Sequence, residues 1–186
     1  MKARHIPNII SVLRIGLVAP VALALWERRY PDALYWFAAA AASDGLDGFL
    51  ARRCGWTSRL GSHLDPIADK LLLLSAYAVF GWQGLLPADL VYAVFVRDGV
   101  IVAGATLYWR LRGPFDAHPL LLSKVNTALQ ILLVAAVMYS QGIKPVAAPM
   151  LNFLVVCTFV TTALSGLLYV LLWSERYRRE SRAGRN

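Results

Sequence analysis

Six apolar stretches of about 18 to 25 residues run along the chain, at roughly 8–26, 33–53, 64–83, 86–110, 122–140 and 150–173. Each has the length an α-helix needs to cross a hydrocarbon layer of about 30 Å. The pattern predicts an all-α integral membrane protein with six transmembrane helices. Pro7 suits the start of the first helix, and Ile6-Pro7-Asn8 can also mark a short N-terminal interfacial helix bending into that span. Pro31 and Asp32 break the chain before helix 2, and Pro87 and Asp89 do so before helix 4. Gly113 and Pro114 end helix 4, while Pro145 and Pro149 bracket the entry to helix 6. All six tryptophans fall near predicted helix ends, where amphipathic rings sit at a membrane interface.

Composition agrees with this pattern. Of 186 residues, 58% are hydrophobic, against about 45–50% in a soluble domain. One membrane domain over 1–174 accounts for the length, followed by a basic tail at 175–186 that reads as disordered. The formal charge of +8 is spread over helix-flanking segments. With the N-terminus inside, thirteen lysines and arginines fall on cytoplasmic segments and three on outer loops. That bias orients both termini toward the cytoplasm. A nucleic-acid surface would gather the charge on one soluble face, so no nucleic-acid partner is expected. Attraction to anionic lipid head groups explains the cations better. Cys54, in a loop, and Cys157, in a helix, make no disulfide framework or zinc spacing. The start resembles a signal peptide, but Arg14 interrupts its apolar region and further spans follow, so helix 1 is expected to be retained.

The polar positions inside the apolar runs carry the chemistry. From Ser43 to Lys70 the chain reads SDGLDGFLARRCGWTSRLGSHLDPIADK. Asp44 and Asp47, and then Asp65 and Asp69, are spaced to share one helix face each. A helix, a short loop and a returning helix would bring four carboxylates together. Two such charges about 4 Å apart repel by roughly 4 kcal/mol at an effective dielectric near 20. Convergence therefore calls for cations, and two divalent ions balance four carboxylates. Oxygen-only ligation suits Mg²⁺ or Mn²⁺ rather than zinc. A two-metal site beside a membrane points to phosphoryl chemistry on a lipid.

Written as Asp44-x2-Asp47-Gly48-x2-Ala51-Arg52-x8-Gly61-x3-Asp65-x3-Asp69, the stretch resembles the signature of the CDP-alcohol phosphatidyltransferases, integral membrane enzymes of phospholipid synthesis. The residue types make sense on their own: Gly48, Ala51 and Gly61 keep a helix face thin, and Arg52 offers a planar fork to phosphate. The resemblance implies that Asp44, Asp47, Asp65 and Asp69 bind two divalent cations. It also implies that Gly48, Ala51, Arg52 and Gly61 hold the CDP moiety, and that Asp69 is the catalytic base for the acceptor hydroxyl. Six transmembrane helices, a cytoplasmic active site and a homodimer follow from the same likeness, and a bacterial inner membrane is the expected location. His63 reads as an exposed loop histidine.

Further polar positions bear on the acceptor. Asn8, Ser11 and Arg14 form a stripe on helix 1, and Lys124, Thr127 and Gln130 form another on helix 5. Arg97 and Asp98 sit inside helix 4. Asn8, Ser11, Thr127 and Gln130 fit interhelical hydrogen bonding as well as substrate contact. Arg14, Arg97 and Lys124 are costlier to hide and are expected, with Asn8, to meet acceptor phosphate. LDPIADKLLL at 64–73, VRDGVIVAG at 96–104 and SKVNTALQILLV at 123–134 resemble the cardiolipin-synthase branch of that family. This implies transfer from CDP-diacylglycerol to phosphatidylglycerol, an anionic lipid acceptor, giving cardiolipin and CMP. The helix-1 pattern IPNIISVLR is shared with phosphatidylglycerophosphate synthases, so glycerol-3-phosphate is the alternative acceptor. A cation channel would favour acids near the midplane of several helices, and an intramembrane prenyltransferase would carry its aspartate motifs far apart. Thr158, Thr162, Ser165 and Gly166 allow close packing of helix 6.

Overall fold

A computed structural model describes residues 6–54, 61–112 and 121–183, with side chains over 13, 15–43, 68–106, 110 and 121–175. Six helices and no strand occur among the described residues: α1 Ile6–Trp26, α2 Tyr30–Cys54, α3 Gly61–Trp82, α4 Ala88–Arg112, α5 Leu121–Gly142 and α6 Ala148–Ala183. The predicted order and number are met. Membrane-crossing length and apolarity hold for α5 over Leu121–Gly142 and for α6 over Ala148–Glu175. Only 22% of that α6 window is buried, whereas a core helix of a soluble protein is covered along most of its length. Asp44 and Asp47 lie within α2, Asp65 and Asp69 within α3, and Arg97 and Asp98 within α4. In α1 the described apolar run is short, Ile15–Trp26.

Several boundaries differ from expectation. Ile6, Pro7 and Asn8 belong to α1 itself, so among the described residues no separate interfacial helix precedes the first span. A proline in a first turn gives up only an N–H that has no helical partner there. His63 and Cys54, expected in a loop, lie in α3 and at the end of α2. Residues 175–183, read as disordered, continue α6 to Ala183. Arginine and glutamate are good helix formers, no Gly or Pro intervenes before Gly184, and extending an existing helix avoids the cost of nucleation.

The chain divides into two compact units. One comprises α1, α2, α3 and α5 from Val134; the other comprises α4, α5 to Leu133 and most of α6. In the first unit α1 packs against both α2 and α3. Val21, Ala24 and Leu25 of α1, Ala33 and Phe37 of α2, and Ala76, Tyr77 and Phe80 of α3 are buried. Helices α1 and α3 end alike. The Arg29 N–H donates to the Ala24 carbonyl at 2.8 Å, and the Leu85 N–H donates to the Phe80 carbonyl at 2.9 Å. The residue before each donor is left-handed, Gly84 at φ +71° but Arg28 at φ +59°. Glycine meets that demand freely, whereas an L side chain there costs about 1–2 kcal/mol. Arg29 donates to Glu27 and Asp32, both at 2.8 Å. Glu27, and then Asp32, raise the Arg29 pKa above its ordinary value, yet such exposed pairs add little stability.

The ends of α1 and α3 are tied to the start of α2. Tyr30 Oη donates to Gln83 Oε1 at 3.1 Å, and Gln83 Nε2 donates to the Leu25 carbonyl at 2.7 Å. Trp26 and Trp82, both exposed, stack beside this junction with ring centroids 6.3 Å apart, consistent with an interfacial aromatic pair. Gly142 ends α5 directly against Pro31 and Tyr30.

The other unit is built differently. All seven buried polar or charged residues described in the chain belong to it: Arg97, Asp98, Asn126, Gln130, Thr158, Thr162 and Ser165. Of the small and polar residues anticipated on helix 6, Thr158, Thr162 and Ser165 are therefore buried within the chain itself, and Gly166 is half-buried.

Candidate active site

The junction at Tyr30 and Gln83 sets the level of the acids. Asp44 lies 14 residues along α2 from Tyr30, and Asp69 lies 14 residues back along α3 from Gln83. At 1.5 Å per residue both stand about 21 Å from the junction. Asp47 is 17 residues from Tyr30 and Asp65 is 18 from Gln83, so the second pair is also matched, about one turn further on. The helices carry the two acid pairs in opposite chain directions and equal register. Glycine and alanine at 48 and 51 lie on α2 with Arg52, and Gly61 opens α3.

Asp69 is half-buried between the fully buried Ala68 and the half-buried Lys70. The side chains of Asp44, Asp47, Ala51, Arg52 and Asp65, with Asn8, Ser11 and Arg14 on α1, lie outside the described residues, as does residue-level packing at Gly48 and Gly61. Among the described residues no three acids, histidines or cysteines cluster. The chemistry of the donor set still fits hard divalent cations: four carboxylates spaced on two helices offer only oxygen.

The remaining expected residues lie in the second unit. Arg97 is 5% exposed and Asp98 8%. Arg97 Nη1 donates to Asp98 Oδ1 at 2.6 Å, while Nη2 donates to Ser123 Oγ and to Ser165 Oγ. One guanidinium thus joins α4 to α5 and α6. Its Nε is buried with no hydrogen-bond partner. Gly166 lies against the Arg97 stem, where an added Cβ would meet Arg97 Cγ at 3.4 Å. Lys124, next to Ser123, is exposed.

The polar stripe expected on helix 5 is turned by one residue. Lys124 is exposed, and Thr127 Oγ1 donates to the Ser123 carbonyl of its own helix. The interior face carries Ser123, Asn126 and Gln130. Asn126 Oδ1 accepts from Thr161 Oγ1 at 2.9 Å and from Thr162 Oγ1 at 2.8 Å. Ser165, Thr162 and Thr158 descend α6 at the spacing with which Ser123, Asn126 and Gln130 ascend α5. That mirrored spacing was the signal for Asn126 and Ser123, which single-helix stripes passed over.

A sequence profile for CDP-alcohol phosphatidyltransferases matches residues 4–174. The chain belongs to the CDP-alcohol phosphatidyltransferase family. Among curated members it is similar to "Cardiolipin synthase (CMP-forming)" of Rattus norvegicus, with 37% identity covering 88% of this chain and 60% of the relative. The protein of that name from Homo sapiens is 36% identical over the same shares. The chloroplastic "CDP-diacylglycerol--glycerol-3-phosphate 3-phosphatidyltransferase 1" of Oryza sativa subsp. japonica is 36% identical, covering 71% of this chain and 45% of the relative. The chain thus spans about 60% of the length of the two cardiolipin synthases.

Proposed function

We propose that this family member transfers a phosphatidyl group from CDP-diacylglycerol to phosphatidylglycerol, releasing CMP and forming cardiolipin. The observation that carries the reading is the equal register of Asp44 with Asp69 and of Asp47 with Asp65 along two helices tied at one end. With the Trp26–Trp82 end at the outer interface of a hydrocarbon layer of about 30 Å, acids about 21 Å along lie near its inner side. Both termini then face the cytoplasm, and six spans with a homodimeric assembly complete the expected arrangement.

Asp44, Asp47, Asp65 and Asp69 are the residues that would hold two ions of Mg²⁺ or Mn²⁺. Bound there, divalent ions neutralise the diphosphate and stabilise CMP as leaving group. Gly48, Ala51 and Gly61 leave space for the CDP moiety, and Arg52 presents a fork to its phosphate. Asp69 takes the proton from the acceptor hydroxyl. The new oxygen–phosphorus bond forms at the lipid-side phosphorus as the bond to CMP breaks in line. Asn8, Arg14 and Lys124 are the acceptor-side residues of this reading, two of them cations suited to an acceptor that carries phosphate; Arg97, also expected there, is buried against Asp98, Ser123 and Ser165.

The likeness to the Oryza sativa protein supports a second reading, with glycerol-3-phosphate as acceptor. Purified protein given radiolabelled CDP-diacylglycerol with either acceptor decides between them. Cardiolipin is expected with phosphatidylglycerol. Product with glycerol-3-phosphate alone replaces the first reading by the second, and release of CMP with neither defeats both.

A further inference from the structure

Arg97 can serve the acceptor in two ways, by touching its phosphate or by arranging something else that does. The hydrogen bonds favour the second. Its charge is matched by Asp98 on the next residue of α4, and both are buried. An anion approaching such a pair meets little net charge. Both hydrogens of Nη2 are taken by serines on two other helices, so this arm of the guanidinium serves as a clamp, while Nε is buried with no hydrogen-bond partner. Below the clamp the α5–α6 register is fixed independently, because Asn126 accepts from both Thr161 and Thr162. Slipping either helix by one residue would break those bonds and part Ser123 from Ser165.

Ser123 stands in the first turn of α5, and the next residue is the exposed Lys124. Holding Ser123 therefore fixes where the Lys124 stem leaves the helix. We propose that Arg97, with Asp98, is a positioning residue: it braces α4, α5 and α6 through Ser123 and Ser165, and it acts on the acceptor phosphate only through Lys124. This rests on the phosphatidyltransferase reading and on Lys124 being an acceptor-side cation.

The test uses the full chain purified in detergent, with the acceptor that the wild type uses, since both candidates carry phosphate. Arg97→Gln and Asp98→Asn each break the buried ion pair by neutralising one side of it, and each is expected to lower the melting temperature and cut turnover more than about tenfold. The double variant Arg97→Gln/Asp98→Asn removes both charges and keeps an amide donor for the serines. It is expected to melt near the wild type and to hold kcat and the acceptor KM within about threefold. A double variant that folds but raises the acceptor KM more than about tenfold, with the CDP-diacylglycerol KM unchanged, would make Arg97 a direct ligand and overturn the proposal. A double variant no more stable than the singles also overturns it.

A second arm cuts only the link to α5. Ser123→Ala is expected to raise the acceptor KM about three- to tenfold, to lower the melting temperature less than Arg97→Gln does, and to add nothing further to the KM in a Lys124→Ala background. A rise of equal size in both backgrounds, or no rise in either, refutes action through Lys124. An inactive wild type points to failure of the functional reading, whereas contrary variants of an active wild type point to failure of the brace alone.

Discussion

A single methyl group added at Gly142 tests the packing that registers α2 against α5. A Cβ there would lie 2.8 Å from both the ring Cδ and the backbone N of Pro31, and 2.9 Å from Tyr30 Cβ. None of these atoms ends a flexible side chain. The proline ring cannot rotate away, and the Tyr30 hydroxyl is itself bonded to Gln83. Overpacking of this kind costs about 1–3 kcal/mol. The offset is small, because alanine gains at most about 1 kcal/mol over glycine in a helix interior and Gly142 ends its helix. A net loss of about 1–2 kcal/mol should lower the melting temperature by roughly 2–8 °C in a chain of this size. Gly16 is the control. It lies inside α1, and a Cβ there meets nothing within 4 Å, so Gly16→Ala should melt at or above the wild type. Tryptophan fluorescence during thermal unfolding in detergent reads both variants. Gly142→Ala melting no lower than the wild type would refute the close approach of α5 to Pro31.

Other perturbations separate chemistry from packing. Asp69→Asn should keep CDP-nucleotide binding within about threefold while lowering turnover at least about a hundredfold, measured by titration and by CMP release; retained turnover removes Asp69 from the role of base. Chelation should abolish CMP release, and added Mg²⁺ or Mn²⁺ should restore it; full activity in excess chelator excludes the carboxylate metal site. Tyr77 is fully buried and its hydroxyl has no hydrogen-bond partner, so Tyr77→Phe should leave thermal stability unchanged or raise it. Tyr30→Phe loses a made bond to Gln83 and should cost about 0.5–1.5 kcal/mol; the reverse order in the same melting assay would contradict these hydrogen-bond assignments.

Most of the helix plan was legible because apolar length and Pro or Gly punctuation act locally. The α6 extension was not, since a run of arginines and glutamates reads equally well as solvated tail or helix until the preceding helix supplies a nucleus. On α5, two stripes one residue apart both recur at helical spacing. Choosing Ser123, Asn126 and Gln130 over Lys124, Thr127 and Gln130 required seeing them opposite Ser165, Thr162 and Thr158 on another helix. Arg97 and Asp98 were recognisable as expensive inside a membrane helix. Neighbouring residues point about 100° apart on a helix, however, so their pairing depends on the reach of the arginine stem. The four acids were the plainest chemical signal in the sequence, because carboxylates within apolar helices are costly to desolvate, and of these the structure describes only the Asp69 side chain.

The two units resolve the same difficulty in different ways. Lipid chains solvate a leucine as well as a neighbouring helix does, so apolar contact alone selects no register between membrane helices. In α4, α5 and α6 the register comes from buried hydrogen bonds at Arg97 and Asn126. The unit containing the acids instead fixes register where α1 and α3 end and α2 begins, through the Tyr30–Gln83–Leu25 hydrogen bonds and the seat of Gly142 on Pro31. The acids stand about 21 Å from that junction. On the proposed reading, a tie at one end would let α2 and α3 hold equal register while the acid-bearing ends admit a nucleotide diphosphate. The same reading gives a use for the small residues at positions 48, 51 and 61, which would leave that space open.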